Sequence, residues 1–138
     1  MQGNELNSKI RALLNSALTD INDADYDAAL ASLKATEALD PQNPEALYNL
    51  GVTYCRMGLF HTAVAYFEKL LNLPFTSVDV LSTIKLLAFS LIRIADYSLA
   101  LDRIESGRRM SPDDTTLLSV EGYCLEKTGR MSEALQTY

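Results

Sequence analysis

The sequence predicts an all-α fold, a solenoid of antiparallel helix hairpins. The first observation is a recurrence of alanine along the chain, with spacings of 34, 37 and 34 residues, at Ala29, Ala63, Ala100 and Ala134. The second is that helix-breaking residues fall between apolar stretches at the same period. Self-similarity at a fixed period of about 20 to 50 residues is typical of stacked repeats. We therefore expect a single domain over residues 1–138 with about 3.5 to 4 repeats.

Four further columns of residues keep the register of the alanines. Small residues stand at Ala17, Gly51, Ala88 and Gly122. Large apolar residues stand at Leu13, Leu47, Ile84 and Leu118, and again at Leu33, Phe67, Ile104 and Tyr138. A fourth column reads Tyr26, Phe60, Tyr97 and Met131. Small side chains are needed where two helices cross at about 8 to 10 Å, so the columns predict one helix crossing in each repeat.

Turn residues divide each repeat into two helices. Asp40-Pro41 and Ser111-Pro112 end second helices, because the residue before proline is pushed out of the helical region. Gly58 and Gly129 lie where a first helix turns into a second. The resulting repeats cover approximately residues 10–43, 44–77, 78–114 and 115–138, and the last of these is truncated.

The junction between the second and third repeats carries three extra residues, within positions 74–80. Thr76 and Asp79 have the spacing of a capping box. We therefore expect a longer turn there, and a following helix extended by about one turn. Glu121 is a second irregularity, a carboxylate in a column of leucine and serine, which we expect to face a further repeat.

Charge and composition exclude several classes of function. The chain has 138 residues and a formal net charge of -6, and its 12 lysine and arginine residues are spread along the sequence. Nucleic acid requires clustered basic residues, so we expect no nucleic-acid binding. There is no apolar run of 18 residues and no secretion signal, so we expect no membrane insertion and a cytoplasmic location.

Residues that could perform chemistry do not form an active-site pattern. His61 is the only histidine, and we place it on the solvent side of a second helix. Cys55 and Cys124 are far apart and form no zinc or redox motif. Asp23, Asp25 and Asp27 lack the later residues of a calcium loop, so we interpret them as charges at a helix start. We expect no metal, no cofactor and no enzymatic activity.

The columns together resemble the tetratricopeptide repeat family. The second copy reads Leu47-Tyr48-x-Leu50-Gly51-x-x-Tyr54, followed by Gly58, Phe60, Ala63, Phe67 and a closing proline. The third copy matches at Ile84, Leu87, Ala88, Leu91, Tyr97, Ala100, Ile104 and Pro112. The resemblance covers nearly the whole chain. It implies a right-handed superhelical solenoid whose first helices line a concave groove.

Carrying the family geometry over position by position gives a candidate partner-binding groove. Its residues are Leu14, Leu18, Tyr48, Asn49, Val52, Arg56, Lys85, Leu86, Phe89, Ile92, Arg93, Val120, Tyr123 and Lys127. An apolar strip with a basic rim suits a peptide ligand. Relatives that clamp chaperone C-termini use lysine and asparagine at defined groove positions, and only Asn49 matches these. The strip could instead be covered by a neighbouring helix or by another copy of the chain.

Three functions are compatible with this pattern. The first is a protein-protein interaction scaffold that binds a peptide or helix of a partner. The alternatives are a bacterial secretion-type chaperone holding an unfolded segment, and the regulatory repeat region of a larger enzyme. Because the fourth copy stops at Tyr138 before any cap, we expect a fragment of a larger protein, or self-association through the uncapped end.

Overall fold

Seven α-helices make up the regular structure of the part of the chain that the computed structural model describes, residues 2–74 and 78–129, and no strand occurs there. The helices are α1 (Gln2–Asn22), α2 (Tyr26–Leu39), α3 (Pro44–Arg56), α4 (Phe60–Leu71), α5 (Val80–Arg93), α6 (Tyr97–Met110) and α7 (Thr115–Lys127). The predicted all-α repeat fold is confirmed.

The helices form two compact units, which divide between Val78 and Asp79. In the first unit, α1 packs against α2 and α3, and α3 packs against α4. In the second unit, α5 packs against α6 and α7, and α6 packs against α7. The division falls at the junction where the sequence carries its three extra residues.

The repeated columns form the cores of both units. Ala29, Ala63 and Ala100 are fully buried, and the apolar side chains of Leu33, Phe67 and Ile104 are fully buried beside them. At Gly51 an added Cβ would lie 2.4 Å from Cε1 of Phe67, far inside van der Waals contact. The small column therefore fixes how closely α3 approaches α4. The fourth-copy members Met131, Ala134 and Tyr138 lie outside the described residues.

Each hairpin turn contains one residue in the left-handed region. Gly58 and Gly129 have φ values of 78° and 80°, as the glycine punctuation predicts. The equivalent positions of the other two repeats hold Ala24 and Ala95, with φ values of 59° and 62°. The sequence does not predict left-handed backbone at these two alanines, because alanine carries no turn signal of its own. Left-handed backbone costs a non-glycine residue about 1 to 2 kcal/mol.

Side-chain caps start most of the helices. Asp25 and Asp96 accept hydrogen bonds from Ala28 N and Leu99 N at the starts of α2 and α6. This confirms the helix-start interpretation for Asp25, and Asp27 lies in the first turn of α2, whereas Asp23 directly follows the end of α1.

The expected extension of α5 by one turn is wrong. The helix begins at Val80, and the carboxylate of Asp79 accepts from Leu81 N and Ser82 N as the N-cap. Thr76, the other member of the expected capping box, lies outside the described residues. The carboxylate of Asp79 satisfies two free N–H groups of the first turn, and this is sufficient to start the helix there.

Candidate interaction surface

An apolar residue that is exposed or half-buried follows the small column in every repeat. These residues are Leu18, Val52, Phe89 and Tyr123. Leu18, Phe89 and Tyr123 are 41%, 50% and 39% exposed, and Val52 is half-buried. One residue further along a helix lies about 100° around its axis, which places these four side chains at the edge of the buried face. We call these four positions the apolar column.

In the second unit the apolar column lies on α5 and α7. Leu86 and Ile92 of α5 and Val120 of α7 are half-buried, and Phe89 is the most exposed apolar side chain of α5. The helices α5 and α7 are in contact. The predicted groove residues of this unit therefore occupy two neighbouring first helices.

The ring of Tyr123 is held in place although it is exposed. Tyr97 of α6 packs edge-on against it, with ring centroids 6.2 Å apart and an interplanar angle of 64°. The ammonium Nζ of Lys127 lies 5.4 Å from the Tyr123 ring centroid on the same helix. Edge-to-face and cation–π contacts each contribute on the order of 1 kcal/mol. A ring ordered in this way loses little further entropy when a partner binds.

An ion pair connects α5 to the start of α7. Lys85 Nζ lies 2.6 Å from Oδ2 of Asp114, and Asp114 is also the N-cap that accepts from Leu117 N. The hydrogen bond from Lys85 holds the pKa of the Asp114 carboxyl below its usual value. Lys85, predicted as a groove cation, therefore has a structural partner within the unit.

A basic residue ends the first helix of each of the last three repeats. Arg56, Arg93 and Lys127 are exposed in the last turns of α3, α5 and α7. Each lies four residues after the apolar column, at Val52, Phe89 and Tyr123. Side chains four residues apart occupy the same side of a helix. The surface thus repeats an apolar side chain followed, one turn later, by a cation.

The first unit contains one residue that is wrongly assigned to the groove. Leu14 is fully buried in the core with Ile10, Ala17 and Leu33. The buried stripe of α1 runs through Leu14, so this residue packs inside the unit and cannot line its surface.

The other predicted residues of the first unit are accessible to different degrees. Tyr48 and Asn49 are half-buried. The Tyr48 ring packs edge-on against Phe67, with centroids 6.3 Å apart. Leu18 and Arg56 are exposed. We therefore regard Tyr48 as partly structural, and Leu18 as the most accessible apolar position on α1 among those predicted.

Sequence reasoning missed an ion pair between the first helices of this unit. Arg11 donates to both carboxylate oxygens of Glu45, at 2.7 and 3.1 Å. The hydrogen bonds from Arg11 lower the pKa of the Glu45 carboxyl. The two residues are 34 positions apart, so they are equivalent positions in neighbouring repeats. Opposite charges at the repeat spacing were the signal that could have revealed the pair.

Glu121 also has a partner within its own unit. Its two carboxylate oxygens accept from Nη1 of Arg108, at 2.7 and 2.9 Å. The expectation that Glu121 faces a further repeat stays a prediction, since the residues after Gly129 lie outside the described part of the chain. The pairing of α7 with the last turn of α6 accounts for a carboxylate in this column.

Other reactive side chains lie away from any shared site. His61 is exposed on α4, and neither Cys55 nor Cys124 forms a disulfide. Burial raises the pKa of the Cys124 thiol to about 11. Within residues 2–74 and 78–129, no three histidine, cysteine or acidic residues are grouped so that they could hold a metal ion. None of the helices in those ranges combines the length and the apolar character needed to cross a membrane.

Two family models match the chain. A TPR repeat model covers residues 25–58, and a tetratricopeptide repeat model covers residues 46–76. No curated protein matches in sequence.

Solved structures share the fold over nearly the whole chain. A crystal structure of MamA has a TM-score of 0.88 and 21% identity, covering 96% of this chain and 70% of MamA. MamA from residue 41 to its end, from Desulfovibrio magneticus RS-1, has a TM-score of 0.81 and 23% identity, covering 94% of this chain and 73% of its own. YrrB, described as a TPR protein with an unusual peptide-binding site, has a TM-score of 0.79 and 24% identity, covering 91% of this chain and 63% of YrrB. The family models over residues 25–76 and the shared fold together identify tetratricopeptide repeats in this chain.

Proposed function

We propose that this chain is a protein-interaction scaffold, which binds a peptide or helix of a partner on the side of its first helices that carries the apolar column. The observation that carries the proposal is the apolar column, which leaves an apolar side chain accessible at the same position of successive repeats. A packing requirement does not explain this recurrence, because these side chains are not buried. Recurring exposed apolar side chains are typical of interaction sites.

The second unit provides the strongest anchors. Phe89 and Tyr123 are aromatic residues on α5 and α7, which pack together. Aromatic side chains dominate the binding energy of many protein interfaces. The peptide-binding site of YrrB, which has the same fold, lends further support. We propose no catalytic role, because His61 and Cys124 lie on separate elements and the Cys124 thiol stays protonated near neutral pH.

A displayed library of random peptides tests this proposal. The library is selected on the wild-type chain, and the recovered peptides are measured against the double variant Phe89→Ala/Tyr123→Ala. We expect at least a tenfold loss of affinity, because truncating an anchoring aromatic residue typically costs more than 1 kcal/mol. Met110→Ala is the matched control, since Met110 is 55% exposed in the same unit but ends a second helix.

Circular dichroism establishes that all variants keep the wild-type helical content. Peptides that bind the double variant as tightly as the wild type would contradict the proposal. So would a selection that recovers no peptide at all, or a loss of affinity in Met110→Ala equal to that in the double variant.

A further inference from the structure

We infer that the segment bound by this surface is acidic as well as apolar, with aspartate or glutamate residues beside its apolar anchors. This inference rests on the proposed function and specifies the chemistry of the partner. It follows from the sign of the charge that accompanies the apolar column.

The first helices present cations although the chain as a whole is acidic. The formal net charge is -6. Many of its acidic residues lie in turns and caps, as Asp25, Asp79, Asp96 and Asp114 do. Beside the apolar column, in contrast, the exposed side chains one turn later are basic in three successive repeats.

Two of the three acidic residues of α3, α5 and α7 are already neutralised. Glu45 of α3 is paired with Arg11 at 2.7 Å, and Glu121 of α7 is paired with Arg108 at 2.7 Å. Glu126, exposed on α7, has no such ion pair among those described. The helix α5 contains no acidic residue, and its charged side chains are Lys85 and Arg93. An incoming carboxylate therefore meets little repulsion on α5.

The spacing of four residues places each cation within reach of a peptide held by the apolar column. Positions i and i+4 of a helix are about 6 Å apart, so a carboxylate next to a bound apolar side chain can approach the cation. Exposed ion pairs of this kind weaken with added salt, because the screening length is about 8 Å at physiological ionic strength.

Helix geometry offers a competing explanation for the cations. A basic residue in the last turn complements the helix dipole, and the second helix α4 has Lys69 in its last turn as well. Lys69 therefore serves as the control, since it shares the helix position and the charge but lies on a second helix, away from the apolar column.

Three synthetic peptides test the inference. They carry the same apolar residues and differ at the intervening positions, which hold glutamate, glutamine or lysine. Fluorescence anisotropy measures their binding at about 50 and 150 mM salt. We expect the glutamate peptide to bind at least tenfold more tightly than the lysine peptide, and its affinity to fall with salt. We expect Arg93→Gln and Lys127→Gln each to weaken it by about two- to fivefold.

The glutamine peptide and Lys69→Gln distinguish recognition from a structural role. Arg93→Gln and Lys127→Gln should each weaken the glutamate peptide more than the glutamine peptide, because only the glutamate peptide loses an ion pair, and Lys69→Gln should leave the affinity of the glutamate peptide unchanged. Equal binding of the glutamate and glutamine peptides overturns the inference. An equal loss in Lys69→Gln also overturns it, because the dipole explanation would then be sufficient.

The library selection separates this inference from the proposed function. Recovered peptides that depend on Phe89 and Tyr123 and are enriched in acidic residues support both. Recovered peptides that depend on these two residues but are neutral or basic overturn only the acidic partner. Peptides that bind independently of Phe89 and Tyr123 overturn the proposed function itself.

Discussion

Replacement of Gly51 by alanine tests whether the small column sets the approach of α3 and α4. The added Cβ would lie 2.4, 2.7 and 2.8 Å from three atoms of the Phe67 ring. The ring is fully buried, so it cannot move into solvent to make room. Either α3 must shift away from α4, or the ring must leave its rotamer.

Two opposing contributions determine how much Gly51→Ala changes the free energy of unfolding. Overpacking a tight core costs up to about 3 kcal/mol, and this contact lies at the severe end of that range. Alanine gains about 1 kcal/mol over glycine in a helix interior. We expect a net destabilisation of about 2 kcal/mol.

Urea unfolding followed by circular dichroism measures this loss. With a dependence on denaturant of about 2 kcal/mol per molar, the midpoint should fall by about 1 M. Gly107→Ala is the matched comparison, since its Cβ would meet the methyl groups of Leu117 and Ile84 at 3.0 and 3.1 Å. These contacts require shifts of only a few tenths of an ångström, and the gain in helix propensity offsets their cost, so we expect the free energy of unfolding to change by less than about 0.5 kcal/mol.

The ranking of the two variants decides whether the reasoning is correct. A wild-type or higher midpoint for Gly51→Ala would refute it, because helix propensity would then outweigh the contact. A larger loss for Gly107→Ala than for Gly51→Ala would refute the use of Cβ distances to rank the two positions.

Three further results are expected. Cys124 should resist iodoacetamide at pH 8 while Cys55 reacts, because burial raises the pKa of the Cys124 thiol to about 11. Mass spectrometry of the alkylated chain measures the labelling, and equal labelling of the two cysteines would contradict this. Asp96→Ala should lower the free energy of unfolding by about 1 kcal/mol by removing the cap of α6, and an unchanged urea midpoint would contradict this. Asp114→Asn should keep the cap but lose the ion pair with Lys85, so it should be less stable than the wild type at pH 7. Because the pKa of Asp114 is lowered in the folded chain, the stability difference between the wild type and Asp114→Asn should shrink as the pH falls below about 4. Urea titrations at pH 7 and pH 3 measure this difference, and an equal difference at both pH values would contradict the prediction.

The helices and their packing columns were predictable because the core imposes the same requirement on every repeat. Ala29, Ala63 and Ala100 are each buried in the second helix of a repeat, so their spacing predicts the length of the repeat. Proline and glycine indicated the turns, because proline interrupts a helix and glycine readily adopts left-handed backbone.

The surface was less predictable, because family geometry was transferred to a helix with a different buried face. Leu14 occupies the same register position as Tyr48 and Lys85, which are only half-buried. In α1 it completes the core stripe with Ile10 and Ala17, so it is fully buried. A register position therefore fixes the side of the helix approximately, and local packing decides which of two adjacent residues enters the core.

Ion pairs were missed for a different reason. Glu121 pairs with Arg108 across α6 and α7, although the other repeats hold leucine or serine in the column of Glu121. Such a pair depends on two side chains that occur once in the chain. Periodicity detects what every repeat shares, and it cannot detect an interaction made in a single copy.

The left-handed turns reveal a longer period in this chain. Ala24-Asp25-Tyr26 recurs as Ala95-Asp96-Tyr97, 71 positions later, while Gly58 and Gly129 are separated by the same 71 positions. Strained alanine turns therefore alternate with relaxed glycine turns, so the type of turn repeats every two hairpins. A substitution characterised at Ala24 should consequently have the same effect at Ala95, two hairpins away, and a different effect at Gly58 in the adjacent hairpin.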